Sequence, residues 1–416
     1  MNNKHSRTKS VASLVLALLF VFVMAVPGIA SSADVLASNS IVTGASRSVG
    51  TFAGGSGTVS DPYHIQTAEQ LQNIQNALGS SFVLDNDIDL KGVDWKPIGK
   101  YGIDLKDFEN PPTEELFHGD FNGNGHTIRN LKVVTNNILG AGLFGAVGEK
   151  AHLHDVNLTG FDIEGVFLVG GLSGYACGDA VFENITMTGK NYMEGLQLVG
   201  GIVGGSTNKL FRNISAQADI NILMVSQGAE GGIIVGGAED SDFIDCHVTG
   251  GSIKAMGSGC YGLGGISGST IGAENVTGCT VENLTISTGK KASMVGGLAG
   301  YTGENPEEGP ATSIRDCSVR NVTIQVGDNS ERIGVLVGSG YYTKLKKKEF
   351  PAPCNFNVEN CTVSGTINGG KMVGAISGYA QDTDSITNVS ASVLYNGTAA
   401  PVIGANPQTV PVSKLR

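Results

Sequence analysis

Several residue groups have the types and spacing that chemistry requires. Asp240 and Asp242 are two residues apart, so on an extended strand both carboxyls share one face, roughly 6–7 Å apart. That is inside the range over which an acid and a base flank a glycosidic bond. Asp382 and Asp384 repeat the spacing at the equivalent place four turns on, too far away to complete one acid/base couple with the first pair. Exposed turns are also rich in Asp for reasons of backbone chemistry, and Asp240 and Asp242 stand only as catalytic candidates. Asp85, Asp87 and Asp89 alternate through LDNDIDL and could offer oxygens to Ca²⁺, although the Gly and distal Glu of an EF-hand loop are missing. No other cofactor is suggested. His152 and His154 share a strand face with His126 upstream, and three imidazoles could hold zinc. With no Cys or carboxylate at ligand spacing, surface histidines are the default, and no metal site is assigned. Neither HExxH, GxxxxGK[ST] nor a strand-to-helix GxGxxG occurs, the run GTINGGK at 365–371 being followed by Met372, so zincin and phosphate-loop chemistry are not indicated.

Two insertions carry the remaining candidates. Residues 304–310 hold Glu304, Glu307 and Glu308; residues 341–354 hold Tyr341, Tyr342, Lys344, Lys346, Lys347 and Lys348. Long loops on a rigid scaffold are where binding tends to reside. An acidic and a basic loop side by side could pair, and the tyrosines could form a flat platform. Glu304, Glu307, Tyr341, Tyr342, Lys344, Lys346 and Lys347 are therefore the candidate binding residues.

The elements that must position these groups come from a repeat. The chain has 416 residues, of which 61 are Gly, and its aromatics amount to only 6% with Trp95 as the single Trp. A large aromatic core is excluded, while 41% apolar content excludes wholesale disorder. The net charge of -11 argues against nucleic acid as a partner. A five-residue unit recurs as AGLFG at Ala141, GGLSG at Gly170, GGIVG at Gly200, GGIIVG at Gly231, GGISG at Gly264, GGLAG at Gly296, GVLVG at Gly334 and GAISG at Gly374. Its starts are separated by 29, 30, 31, 33, 32, 38 and 40 residues. Most copies are followed about 15 residues later by an Asn or Asp and then Val156, Ile185, Ile214, Cys246, Cys279, Cys317, Cys361 or Val389. The two largest periods contain the insertions.

The segments between the units alternate polar and apolar residues and are rich in Val, Ile and Thr, which reads as strand. No helical period lies between them, so a βαβ route to parallel pairing is closed and a coil of stacked turns remains. The fold class is all-β, a right-handed single-stranded parallel β-helix with turns of about 30 residues. The apolar residues named above then form one inward ladder at the strand spacing of roughly 4.8 Å. The Asn/Asp residues beside it suit a left-handed turn. Asn-x-Ser/Thr at Asn184, Asn213, Asn321 and Asn388 is accordingly read as turn chemistry. Four of the seven cysteines fall on the inward ladder, where free thiols are expected rather than disulfides. Thr67 and Gln70 have capping-box spacing, and Leu71, Ile74 and Leu78 share a helical face, predicting a helix over 67–78 that covers the first turn.

Lys4, His5, Arg7 and Lys9, then an apolar run over 11–26, then small residues over 27–33, have the order of a cleaved secretory signal. The organisation read from the sequence is a signal peptide at 1–33, a linker at 34–60, and a cap with the first strands at 61–100. An acidic insertion at 101–117, the coil at 118–398 and a tail at 399–416 follow.

The runs SGTVSDPYHIQTAEQLQNI (56–74), LDNDIDL (84–90), WKPIG (95–99) and FHGDFNGNGHTIRNL (117–131), followed by GLFG (142–145), resemble the bacterial GLUG-motif proteins over residues 56–390. The resemblance implies a secreted or surface-attached β-helix module, of the kind found alone, in adhesin-like proteins and beside a peptidase that cleaves immunoglobulin A. It supplies no catalytic residues. The expected function is binding or adhesion at a bacterial surface, with a glycan or surface protein as partner, no membrane span in the mature chain, and a monomer. A glycosidase or polysaccharide lyase on the same coil is the first alternative, and a structural spacer the second.

Overall fold

The computed structural model describes residues 51–100, 115–135, 140–207, 210–223, 228–273, 275–303, 312–340, 356–380 and 384–405, with the backbone of 412–413. One turn runs through Val181–Thr188, Tyr192–Gly195, Leu198–Gly200 and Val203–Thr207. Each of these segments pairs in parallel with its counterpart in the next turn, on Leu210–Ile222, Glu230–Gly232 and Val235–Glu239. Stacking builds one 24-stranded sheet, which takes two segments per turn, and two narrow eight-stranded sheets. The chain is a parallel β-helix, as its period predicts.

Alternation along the strands decides what faces inward. Phe82, Phe121, Leu153, Phe182, Phe211 and Phe243 stack in register through successive turns, all fully buried. The Phe182 and Phe211 rings lie 5.0 Å apart and those of Phe211 and Phe243 5.1 Å, both stacked. The neighbouring column is the predicted ladder, in which Val156, Ile185, Ile214, Cys246, Cys279, Cys317, Cys361 and Val389 are all at most 2% exposed. The six described cysteines are free thiols; Cys354 lies outside the described residues. Burial raises the thiol of Cys279 and brings that of Cys260 to about 12, while the adjacent thiol on the ladder raises those of Cys317 and Cys361.

Between these two columns the chain bends through a left-handed residue. Asp155, Asn184, Asn213, Asp245, Asp316, Asn360 and Asn388 all have φ between 50° and 54°. Their side chains also bond from turn to turn: Asn213 Nδ2 donates to Asn184 Oδ1 at 2.7 Å, and Asn184 Nδ2 to Asp155 Oδ1 at 2.9 Å. Asn321 (φ 52°) belongs to a second left-handed column and donates to Asn283 Oδ1 at 2.7 Å.

The five-residue units make the corner between the narrow sheets, which approach almost to backbone contact. A Cβ on Gly170 would lie 2.3 Å from Ser173 O and 2.6 Å from Gly204 N, and one on Gly174 would lie 2.5 Å from Gly140 Cα. Only glycine permits this approach. On the outside of the corner, Leu116, Ala146 and Leu168 form a small satellite cluster with Phe167, Tyr175 and Leu198 against it. Leu168, Leu198 and Glu230 occupy one column there. The Glu230 carboxylate accepts from Ser269 Oγ at 2.6 Å and Tyr301 Oη at 2.8 Å. Enclosure pushes its pKa up to about 7, and the two hydroxyls only partly offset that.

The ends depart from the sequence reading in detail. The helix predicted over 67–78 is Ala68–Gln72 followed by a 3₁₀ turn at Asn73–Asn76. Thr67 Oγ1 caps Gln70 N at 3.2 Å, and Leu71, Ile74 and Leu78 are buried as expected. The turn tightens where Asn76 Nδ2 reaches Asn73 Oδ1 at 2.7 Å and Ala77 N bonds Ile74 O at 2.9 Å, an i to i+3 bond in place of the helical one. Strand pairing occurs within 61–100, the segment read as cap and first strands, where Tyr63–Ile65 lies against Ser81–Leu84. It also continues past 398: Val412–Ser413 pairs with Ser385–Thr387, and Ile403 bridges Ser377. No helix among the described residues is long and apolar enough to cross a membrane.

Three outcomes follow from this packing. Gly174→Ala is expected to cost about 2–4 kcal/mol in urea unfolding, because its contact is backbone that cannot move aside. Asn213→Ala is expected to cost about 1–2 kcal/mol, from the left-handed φ and the lost amide bonds. A difference under 0.5 kcal/mol at either site would sink the corresponding account. Glu230 binds a proton more tightly folded than unfolded, so its contribution to stability is greatest below about pH 4.5 and declines as pH rises to 7. Glu230→Gln is expected to remove that decline, a few kcal/mol at about 1.4 kcal/mol per pKa unit, when unfolding at pH 5 and pH 8 is compared with wild type.

Candidate functional site

The loop residues Glu304, Glu307, Tyr341, Tyr342, Lys344, Lys346 and Lys347 lie outside the described residues, as does Asp382. Asp240 and Asp242 do not share a strand face. Asp240 sits in a left-handed turn at φ 48°, with its Oδ1 over Gly272 of the next turn, and only Asp242 begins a strand, Asp242–Ile244. Asp242 accepts from Asn275 N at 2.8 Å and Asn275 Nδ2 at 3.1 Å, a local cap rather than a carboxylate couple. Nor is Asp384 its counterpart four turns on: register puts Ser385 there, and Asp384 is buried, accepting from Phe356 N at 2.9 Å.

Asp85, Asp87 and Asp89 are each held by local donors, with Arg129 shared between Asp87 and Asp89. His64 Nδ1 at 2.7 Å and Gln66 Nε2 at 2.8 Å engage Asp85, and Thr127 N at 2.9 Å engages Asp87. Asp89 takes Asn130 Nδ2 at 2.8 Å, Lys91 N at 3.0 Å and Arg129 Nε at 3.1 Å, bonds that hold its carboxyl near 2. Among the described residues the three carboxylates do not form one cluster. Their donors tie the first turns together, which explains the alternating run.

The surface that geometry does assemble was not visible from the repeat units. It lies on the second segment of each turn, where Val133, Ile163, Met193, Ile220 and Ile253 point inward and their neighbours point out. One outward column reads Lys132, Asp162, Tyr192, Asp219, Ser252, Thr285, Thr323 and Thr366. The column beside it reads Val134, Glu164, Glu194, Asn221, Lys254, Ser287, Gln325 and Asn368. At the strand spacing, eight turns extend about 34 Å.

Contacts within the columns fix the side chains. Lys132 Nζ is 2.5 Å from Asp162 Oδ2, Ser252 Oγ donates to Asp219 Oδ1 at 2.7 Å, and Asn221 Nδ2 reaches Glu194 Oε2 at 2.5 Å and Tyr192 Oη at 3.1 Å. Tyr192 Oη also donates to Glu194. Partial burial and that carboxylate push the phenol up to about 12, so it remains a donor at any physiological pH. Exposed Leu223 and Met256 follow the strands at one edge of the face. An open hollow lies on the other side of Asp219, formed with Gly189, Asn191 and Gly251. The arrangement offers fixed acceptors, amides, one phenol and an apolar rim along a straight line. In the sequence the signal is a period-two alternation six to eight residues before Gly170, Gly200 and Gly374, and nine to twelve residues before Gly231, Gly264, Gly296 and Gly334.

Comparison with known proteins gives partial matches. The family described as the GLUG motif matches residues 329–368. A protein of Evansella cellulosilytica described as a candidate Gly-rich membrane protein is 36% identical over 147 residues, 33% of this chain and 15% of that protein. Halomucin of Haloquadratum walsbyi is 33% identical over 159 residues, 37% of this chain and 2% of its own length. The chain thus matches only a small part of either relative. Among solved structures, a candidate immunoglobulin A1 protease from Bacteroides ovatus is 20% identical, with a TM-score of 0.45 over 88% of this chain and 87% of that one. The A-module of a mannuronan C-5 epimerase from Azotobacter vinelandii is 12% identical, with a TM-score of 0.29 over 87% and 97%. The GLUG motif thus matches residues 329–368, which include the unit at Gly334, and the described strands around that unit pair in parallel with their neighbours.

Proposed function

We propose that the protein is an exported or cell-surface binding module that holds an extended, hydroxyl-rich polymer, a glycan, along the two outward columns. One observation carries the reading: eight stacked turns present polar side chains in line, so a chain of repeating hydroxyl groups meets a repeating set of acceptors and donors. Tyr192 supplies the stacking surface that sugar rings favour, and its hydrogen bonds hold it in place. Location at the surface is supported by the basic, apolar and small-residue order of residues 1–33 and by relatives named as a membrane protein and a halomucin. The loop residues Glu304, Glu307, Tyr341, Tyr342, Lys344, Lys346 and Lys347 are proposed as a second contact on the same coil.

A catalytic reading has one observation in its favour. Glu164 and Glu194 stack on adjacent turns, so their separation of about 4.8 Å at the backbone is near that of a retaining glycosidase pair. A single experiment separates the readings. Residues 34–416 are passed over bacterial, host and plant polysaccharides with and without Ca²⁺, while retention and released reducing or unsaturated ends are recorded together. Retention without products is expected. Tyr192→Ala is expected to weaken it at least tenfold with the melting temperature within about 2 °C of wild type, and deletion of 342–352 to weaken it further. Undiminished retention in Tyr192→Ala would overturn the assignment of the face. Products lost in Glu194→Gln would establish the enzyme, and silence in both channels would favour a protein partner or a spacer.

A further inference from the structure

A second cluster lies on the first segment of the turn, away from the polymer-binding face. Register sets Asp120 against His152, and His154 against Asn122 on one side and Glu183 on the other. Two imidazoles two residues apart therefore share an outward face with a carboxylate from the turn before and one from the turn after. Asp120 Oδ1 is 3.2 Å from His152 Nδ1 and 3.4 Å from His154 Nε2. His126, grouped with these histidines in the sequence, instead lies 3.6 Å from Asp87. The carboxylate absent from the local sequence is supplied 32 residues upstream by stacking.

The two distances from Asp120 match those between adjacent ligands of a tetrahedral metal shell, and all three atoms lie within 4.8 Å of one another. With zinc about 2.0–2.1 Å from nitrogen and oxygen ligands, adjacent ligands lie about 3.3 Å apart. The outer contacts have the matching pattern. His154 Nδ1 is 2.6 Å from Asp155 Oδ2, which is itself held by Asn184 at 2.9 Å. His152 Nε2, which makes no hydrogen bond, faces Glu183 Oε2 at 3.6 Å, and Glu183 is held by Arg212 at 3.3 Å. Each imidazole thus turns one nitrogen to Asp120 and the other to a second carboxylate, the arrangement that fixes the tautomer of a metal-bound histidine.

We propose that Asp120, His152 and His154 bind a divalent transition metal ion, zinc or one of similar ligand preference, with Asp155 and Glu183 as supporting carboxylates and water completing the shell. The two rings now stack at 4.1 Å with an interplanar angle of 18°. A metal ion lies in the plane of each imidazole it binds, so occupancy requires the rings to fan apart about their χ2 torsions while Asp120 stays in place. The ion would clamp two consecutive turns near the start of the coil.

The test uses the full mature chain stripped with a chelator and titrated with Zn²⁺, with Co²⁺ as a spectroscopic probe. One equivalent of Zn²⁺ is expected to bind, raise the melting temperature and give visible Co²⁺ bands of a tetrahedral site. Asp120→Asn and His154→Gln are each expected to weaken binding at least tenfold and abolish the bands, whereas His126→Ala and His64→Ala leave both unchanged. Should Asp120→Asn fail to fold, the exposed-face variant His152→Gln gives the same readout. No saturable binding by the wild type, or affinity in the His152 and His154 variants equal to that of the wild type, would overturn the proposal.

Discussion

Each turn of this chain is held by backbone hydrogen bonds to the turns on either side, and that in-register ladder is the constraint on which everything else depends. Once it is set, a residue's neighbours are those one period away, not those beside it in sequence. Like side chains then stack on like, as the phenylalanines from Phe182 to Phe243 and the thiols from Cys246 to Cys361 do. The period can lengthen from about 30 to 40 residues without breaking the stack, because added residues leave between strands while the paired segments keep their register.

The ladder makes unequal demands on the residues that turn it. At the Asn and Asp bends the requirement is a positive φ together with a side chain that can bond upward, so Asn serves better than Gly. At the corner of the narrow sheets the requirement is the absence of a Cβ, which leaves glycine alone. Closing the sheets this tightly leaves a notch outside the corner, filled by Leu168 and Leu198 in two turns and by the enclosed carboxylate of Glu230 in the next. At Glu230 the stacking rule is broken by an ionisable group, and its raised pKa is the consequence.

The same stacking creates the surface chemistry. Tyr192, Glu194 and Asn221 come from two turns, and Asp120, His152 and Glu183 from three, yet each set touches as though contiguous. A rigid coil holds such groups at fixed spacing without the enclosed pocket of a globular enzyme. That geometry suits recognition of long ligands and small clamps between turns better than it suits enclosure of a small substrate.

Periodicity by itself determined the coil, the inward ladder from Val156 to Val389, the left-handed Asn and Asp turns and the free thiols, because each of these repeats at one offset from the glycine units. The capping residue Thr67 was legible for the same local reason. What only the tertiary structure decided were contacts that depend on register between unlike residues: Asp120 beside His152, Asn275 against Asp242, and Tyr192 against Asn221. Spacing along the strand suggested that Asp240 and Asp242 act together, but the positive φ of Asp240 turns the chain between them. Single residues in a stacked coil acquire their partners from the turn above and the turn below. The exact length of each turn sets those partners, and the bends that sequence alone does not locate set that length.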